Sequence, residues 1–309
     1  MKLKVPVNSY ESAVMQIEAG ANEIYLGIEE PFLKRMSFSA RAQVTSKGIH
    51  SNVTLEELEK IIAYAHIHNV KVDFTANCQH VCHSKDDFYR KRYLEYVKRG
   101  VALGVDALIV ADVGNLIAIR QAAIDTPVIA GSFLNIFNGE TVKLLCDLDV
   151  FRVVLPDHVL IEEIRSIKEN TDLEVEIFVG YGCANIGGSC NFSHNNGEKY
   201  DLGVPCRGYY KRKDGEVGNY LDCCQDCAIC SIPALGDIKV DSLKLIGREA
   251  DCKSAATTTR MYRKAIDMYE KTGKAERREI IQTIPWWGRA MCQNNRCRYK
   301  ENRADKSYI

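Results

Sequence analysis

Ala107-Leu-Ile-Val-Ala111, a helical pattern from Asn115 to Ala123, and then Pro127-Val-Ile-Ala-Gly131 read as strand, helix and strand. Each flanking run is short, apolar and rich in β-branched residues, as in a strand buried on both faces, and the helix between them is long enough for a crossover. Working outward, the same alternation recurs. Further strands are predicted at Leu3 to Val7, Glu23 to Gly27, Val70 to Ala76, Arg152 to Leu155, Glu174 to Val179 and Ser242 to Ile246, eight in all. Helical patterns fall between them at Ser12 to Ala19, Asp87 to Leu103, Thr141 to Leu145 and Val159 to Lys168. Thr54-Leu-Glu-Glu57 is a capping box, and it opens a helix with Leu55, Leu58, Ile61, Ile62 and Ala65 on one face. Eight strands separated by helices predict an α/β fold of the (β/α)8 TIM-barrel type. An open doubly wound sheet is the alternative, because strand order is not written in a single sequence.

Composition agrees with one main domain. The 309 residues are 46% hydrophobic, enough for a large core, and no Pro/Ser-rich linker divides them. The expected organisation is a barrel over residues 1–270, a cysteine-rich loop over 180–240 within it, and a tail over 271–309 packed on the barrel. Lys+Arg and Asp+Glu both number 41, so overall charge argues for neither nucleic acid nor an anionic membrane as partner. From Lys253 onward there are 14 basic residues against six acidic, which reads as a solvated basic helix or an approach to phosphate. No apolar run reaches the roughly 18 to 20 residues that span a bilayer, and Met1-Lys-Leu-Lys-Val-Pro6 leads straight into a strand. A cytoplasmic protein with no membrane partner is expected.

Thirteen cysteines in a reducing compartment are not a disulfide framework and call for a metal or redox explanation. Seven of them fall in the connection from Val179 to Ser242, which is far longer than an ordinary loop. Cys183-x6-Cys190-x15-Cys206-x20-Cys227 lacks zinc-finger spacing, yet zinc can also be built from Cys224-x2-Cys227 and Cys292-x4-Cys297. Spacing therefore leaves zinc and iron–sulfur open, since both take soft thiolates. Cys223-x3-Cys227-x2-Cys230 matches the pattern of radical S-adenosylmethionine enzymes, but it falls late in the chain rather than after the first strand. Cys224-x2-Cys227-x2-Cys230 lacks the continuation of a bacterial ferredoxin, because Ser231-Ile-Pro233 follows.

In a barrel, chemistry sits at the carboxyl ends of the strands. Asn77, Cys78 and His80, then Asp112, Ser132 and Asn135, Pro156 and His158, and Cys183 occupy those positions. Asp112, His158 and Asn77 are the candidate catalytic groups. For Asp112 or Asn135, capping the following helix is an equally good account. A peptidase would need an activated nucleophile or an open metal, and neither HExxH nor GxSxG occurs. It would have to rest on Cys183 or Cys190 with His194 or His158.

Several blocks carry a family resemblance. Glu176-Ile-Phe178-Val-Gly-Tyr-Gly-Cys183 with Gly187-Gly-Ser-Cys190-Asn-Phe-Ser193 resembles the signature of peptidase family U32. Val5-Pro6-Val-Asn8, Ala19-Gly-Ala-Asn-Glu-Ile-Tyr-Leu-Gly27, Asp241-Ser-Leu-Lys244-Leu-Ile-Gly247-Arg248 and Tyr262-Arg263-Lys-Ala-Ile-Asp267 are similar to other blocks of the same family. The resemblance covers about residues 1 to 270. It departs from the family in a one-residue shorter spacing from Glu176 to Cys183 and in the extra Cys223, Cys224, Cys230, Cys292 and Cys297.

The resemblance implies a [4Fe-4S] cluster on Cys183, Cys190, Cys206 and Cys227, with Cys224 and Cys230 as alternates for the fourth place; zinc is the alternative metal. It implies oxygen-independent hydroxylation of an aromatic ring or an RNA base, with prephenate as oxygen donor. Arg41, Arg248 and Arg263 match basic positions of the family, suited to a dianionic donor or phosphate or to ordinary ion pairs. The alternatives are a collagenase-like protease and a zinc-stabilised binding protein without catalysis. Lacking an appended C-terminal domain, the chain resembles the short ubiquinone-pathway members, which implies a sister U32 subunit or a homodimer as partner. The Trp286-Trp287 tail through Cys292 and Cys297 is expected to anchor a C-terminal segment, to cover the loop, or to ligate a second metal.

Overall fold

The computed structural model describes residues 1–30, 33, 36–42, 50–79, 87–180, 208–220, 226–247, 251–281 and 284–299. Eight parallel strands close into a barrel: β1 Lys2–Pro6, β2 Glu23–Leu26, β3 Lys71–Ala76, β4 Ala107–Val110, β5 Val128–Ala130, β6 Val150–Val154, β7 Glu174–Gly180 and β8 Ser242–Leu245. Each strand pairs with its neighbours in sequence, and β8 returns to β1 through Lys2↔Ser242, Leu3↔Leu243 and Lys4↔Lys244. The doubly wound alternative is thereby set aside.

The helices are α1 Tyr10–Glu18, α2 Leu55–Ile67, α3 Phe88–Leu103, α4 Val113–Gln121, α5 Gly139–Cys146, α6 Ile161–Glu169, α7 Ile232–Asp237 and α8 Cys252–Thr272. Local chemistry starts many of them. Ser9, Asp112, Asn138 and Asp251 each accept a backbone N–H of the first turn, and Thr54 with Glu57 forms the expected capping box. The basic stretch that begins near Lys253 is not merely solvated: α8 buries Met261, Tyr262, Ala265 and Ile266 against the barrel.

Outward strand residues such as Leu3, Val5, Val72, Phe74 and Leu243 pack under the helices in one continuous core. Inward residues divide into two zones. Toward the amino-terminal ends stand Lys4, Glu23, Asp73, Arg152 and Glu176, all buried. One pleat nearer the carboxyl ends, Tyr25, Val154 and Phe178 form an apolar layer with Ile109 and Ile129. Charges this deep persist only when paired. Lys4 Nζ lies 2.6 Å from Asp73 and 2.5 Å from Glu176, Arg152 lies 3.0 Å from Glu176, and Lys244 lies 3.0 Å from Glu176. Arg152 also pairs with Glu23 and Glu174.

The C-terminal segment is part of the same body. Trp287 is fully buried, and Ile284, Met291 and Tyr299 join the main core. Among the described residues, no helix is long and apolar enough to cross a membrane.

Candidate active site at the barrel mouth

The mouth has an aromatic floor under two cations. Lys244 Nζ lies 4.4 Å from the centre of the Tyr25 ring and 5.7 Å from that of Phe178, and the Arg41 guanidinium lies 5.1 Å from Tyr25. Tyr25 is held in place by its hydroxyl, which donates to the Leu245 carbonyl at 3.0 Å. Such rings favour planar or cationic groups, while the cations favour anions. Gly27, at the end of β2, leaves room for the segment that carries Arg41. A Cβ there would stand 2.5 Å from Ser39 Cβ and 2.7 Å from Thr75 Oγ1.

Around the rim, Gln79 ties two strand ends together by donating to the carbonyls of Ala111 at 3.2 Å and Phe133 at 3.3 Å. Asn77 lies beside the end of β5, with a buried Oδ1 that accepts no hydrogen bond among the described residues. Asp112 accepts the Asn115 N–H at 3.0 Å, so its carboxylate serves as the N-cap of α4. His158 is exposed, its ring 5.2 Å from that of Phe137. The structure thus places Asn77, Asp112 and His158 on one rim without joining them in a hydrogen-bonded set.

Arg263 sits at the other end of the barrel. Its guanidinium binds Asn22, Asp267 and Glu270 beside the start of β2, at the amino-terminal face and away from the strand carboxyl ends. Those contacts are an ordinary ion-pair arrangement, set apart from the mouth.

The thiol wall is built by the chain after β7. Cys227 bridges Gly180 at the end of β7 on one side and Cys297 of the C-terminal segment on the other. Ala228 N–H donates to the Val179 carbonyl, while Asp226 and Cys227 donate to the Arg296 carbonyl and Arg298 donates to the Cys227 carbonyl. Two N–H groups reach the Cys227 sulfur: the Ile229 backbone amide and the Trp287 indole, the latter at 3.3 Å. Burial pushes the Cys227 thiol up to about 12, with the Cys230 and Cys292 thiols adding to the rise and the two N–H donors opposing it. A buried sulfur with two donors is dressed for negative charge, yet carries none unless a cation supplies the compensation. That donor set fits a thiolate metal ligand. Cys183, Cys190, Cys206, Cys223, Cys224, His80, His194 and Arg248 lie outside the described residues. Among the described residues, no group of three or more His, Cys, Asp and Glu side chains is arranged to hold a metal.

Lys244, Trp287 and the Asp157–Arg298 pair were not singled out as site residues in the sequence. A signal existed for Lys244, a charged residue at an inward position of a strand that otherwise reads apolar. For Trp287 only the paired tryptophans hinted at anchoring. Arg298 and Asp157, both buried, form an ion pair that fastens the C-terminal segment to the end of β6.

Fold and site together define a (β/α)8 barrel with a buried thiol at the mouth. The chain belongs to peptidase family U32, whose model matches residues 8–296. Its relatives include a protein of Methanocaldococcus jannaschii described as an uncharacterized protease, 31% identical over 86% of this chain and 65% of the relative. A 23S rRNA 5-hydroxycytidine synthase of Escherichia coli is 27% identical over 86% of this chain and 39% of its own length. A tRNA hydroxylation protein of Bacillus subtilis is 26% identical over 87% of this chain and 63% of its own. The chain therefore spans less than two thirds of these relatives.

Proposed function

We propose that this chain is a [4Fe-4S]-dependent hydroxylase that works without O2, on an RNA base or a small aromatic ring, with a prephenate-like donor of oxygen. The observation that carries the reading is Cys227, a buried sulfur with two N–H donors at the carboxyl end of β7, where the family pattern puts a ligand. Relatives named for hydroxylation of ribosomal and transfer RNA support the reaction class. An enzyme acting on such RNA works in the cytoplasm.

In this reading Cys183, Cys190 and Cys206 would join Cys227 as ligands, and the cluster would supply electron transfer. The chain's own groups do the rest. Lys244 and Arg41, set over the buried Tyr25 and Phe178 rings, hold the carboxylates of the donor. Asn77 offers its Oδ1, without a partner among the described residues, as acceptor for an N–H or O–H of the substrate.

A thiol protease is the weaker reading, because the thiols it would need, Cys183 and Cys190, are taken as metal ligands here and thiolates committed to a cluster are not free nucleophiles. Anaerobic purification tests the proposal. We expect a brown protein with about four irons per chain and loss of the colour in Cys227→Ala. Colourless protein with stoichiometric zinc would overturn the cluster, and peptidase activity that survives metal removal would favour the protease.

A further inference from the structure

We infer that Trp287, in the C-terminal segment, is a positioning residue for the iron–sulfur site: its indole N–H holds the Cys227 sulfur as the fourth ligand and raises the reduction potential. This rests on the reading of the site as a cluster.

The segment is stitched to that one cysteine from several directions. Its backbone accepts from the Asp226 and Cys227 amides through the Arg296 carbonyl and donates to the Cys227 carbonyl from Arg298. Cys227 is therefore held between Gly180 and Cys297 as a strand is held between two others. Arg298 anchors this arrangement on Asp157, a buried pair at the end of β6. Within that frame the Trp287 ring has no room to turn: it is fully buried, and its N–H points at Cys227 Sγ at 3.3 Å. An indole nitrogen only donates, so this contact is an N–H···S bond whichever state the sulfur is in.

The consequence is electrostatic. A cluster ligated by four thiolates gains negative charge on reduction, and an N–H aimed at a ligand sulfur stabilises the more negative form. Burial strengthens the effect, because little water competes at a residue 8% exposed. The amide of Ile229 acts on the same sulfur, but it belongs to the backbone of the ligand loop. Trp287 lies 60 residues further along the chain, so the C-terminal segment is a component of the redox site as well as a cover for it.

The test compares three full-length proteins purified anaerobically: wild type, Trp287→Phe, and protein with benzothienylalanine in place of Trp287, which keeps the shape of the ring and replaces N–H by sulfur. Iron content and the midpoint potential are measured on each. We expect equal iron in all three, with a midpoint in both variants lower by a tenfold change in the reduction equilibrium, about 59 mV for one electron. An unchanged midpoint in a brown benzothienylalanine protein would overturn the inference while leaving the cluster intact. Iron-free wild type would overturn the cluster reading and the inference with it. Should Trp287→Phe fail to fold, the isosteric protein decides.

Discussion

Glu176 is the residue on which the charges inside the barrel converge, since Lys4, Arg152 and Lys244 all reach its carboxylate. Burial alone would raise its pKa, but those three cations hold it well below the usual carboxylate range. Lys4 is the counterpart: burial works against its charge, and Asp73, Glu176 and Glu23 more than offset it. Counting Lys2 and Glu174 at its edge, the network sets four cations, Lys2, Lys4, Arg152 and Lys244, against four carboxylates, Glu23, Asp73, Glu174 and Glu176. Glu176→Gln should therefore destabilise the protein by about 3–5 kcal/mol at neutral pH, because it leaves buried cations uncompensated. Because the folded pKa is depressed, the unfolded chain binds the proton first on acidification. The stabilisation from Glu176 is full above the unfolded value near 4.5 and is lost as pH falls below it. Urea unfolding of wild type and variant between pH 7 and pH 3 should show their difference narrowing only below that point. Asp73, whose pKa burial raises, works in the opposite sense and softens the wild-type decline. In the sequence, Glu176 was legible as part of a motif and Lys4 as a strand residue. That they touch was not, because β1 and β7 meet only through β8.

At the scale of elements, the clearest ambiguity is the end of β4. Asp112 follows a strand, where catalytic groups gather, and precedes a helix, where caps gather. The structure shows the cap, made to the Asn115 amide. Asp112→Ala should cost about 1 kcal/mol of stability, whereas Asp112→Asn, which keeps an acceptor, should cost a few tenths at most. Thermal unfolding checks both, and turnover in Asp112→Asn reports separately on any part the charge has in chemistry. Strands and the Thr54-capped helix were readable because their signals are local: short continuous β-branched runs, apolar faces at three and four, and a cap at three. The helix over Cys252–Thr272 was only half readable. Its basic residues stood out, but the face it buries depends on what lies beneath it.

For the whole molecule, the decisive contacts are those that return the C-terminal segment to the mouth. Arg298 pairs with Asp157 across 141 positions of sequence, and both side chains are almost wholly buried. Burial opposes the charge on Arg298, and Asp157 beside it holds the pKa above its ordinary value. Arg298→Ala should destabilise the fold by about 3–5 kcal/mol by removing the cation that pairs with the buried Asp157 carboxylate. It should also expose the segment, so limited proteolysis ought to cut near residues 284–299 at protease levels that leave the wild type whole. A variant as resistant as wild type would show that the segment is held without the pair.

By itself the sequence determined the order of strands and helices, the Thr54 capping box, and the cysteine positions that match the family, because each is carried by residue types at short, fixed spacings. Only the tertiary structure decided which charges meet inside the barrel, that Arg263 belongs to the amino-terminal face, and that Trp287 reaches the sulfur of Cys227. Those facts depend on how the sheet closes and where the chain end returns. Both are settled by burial of the whole core, which no local pattern encodes.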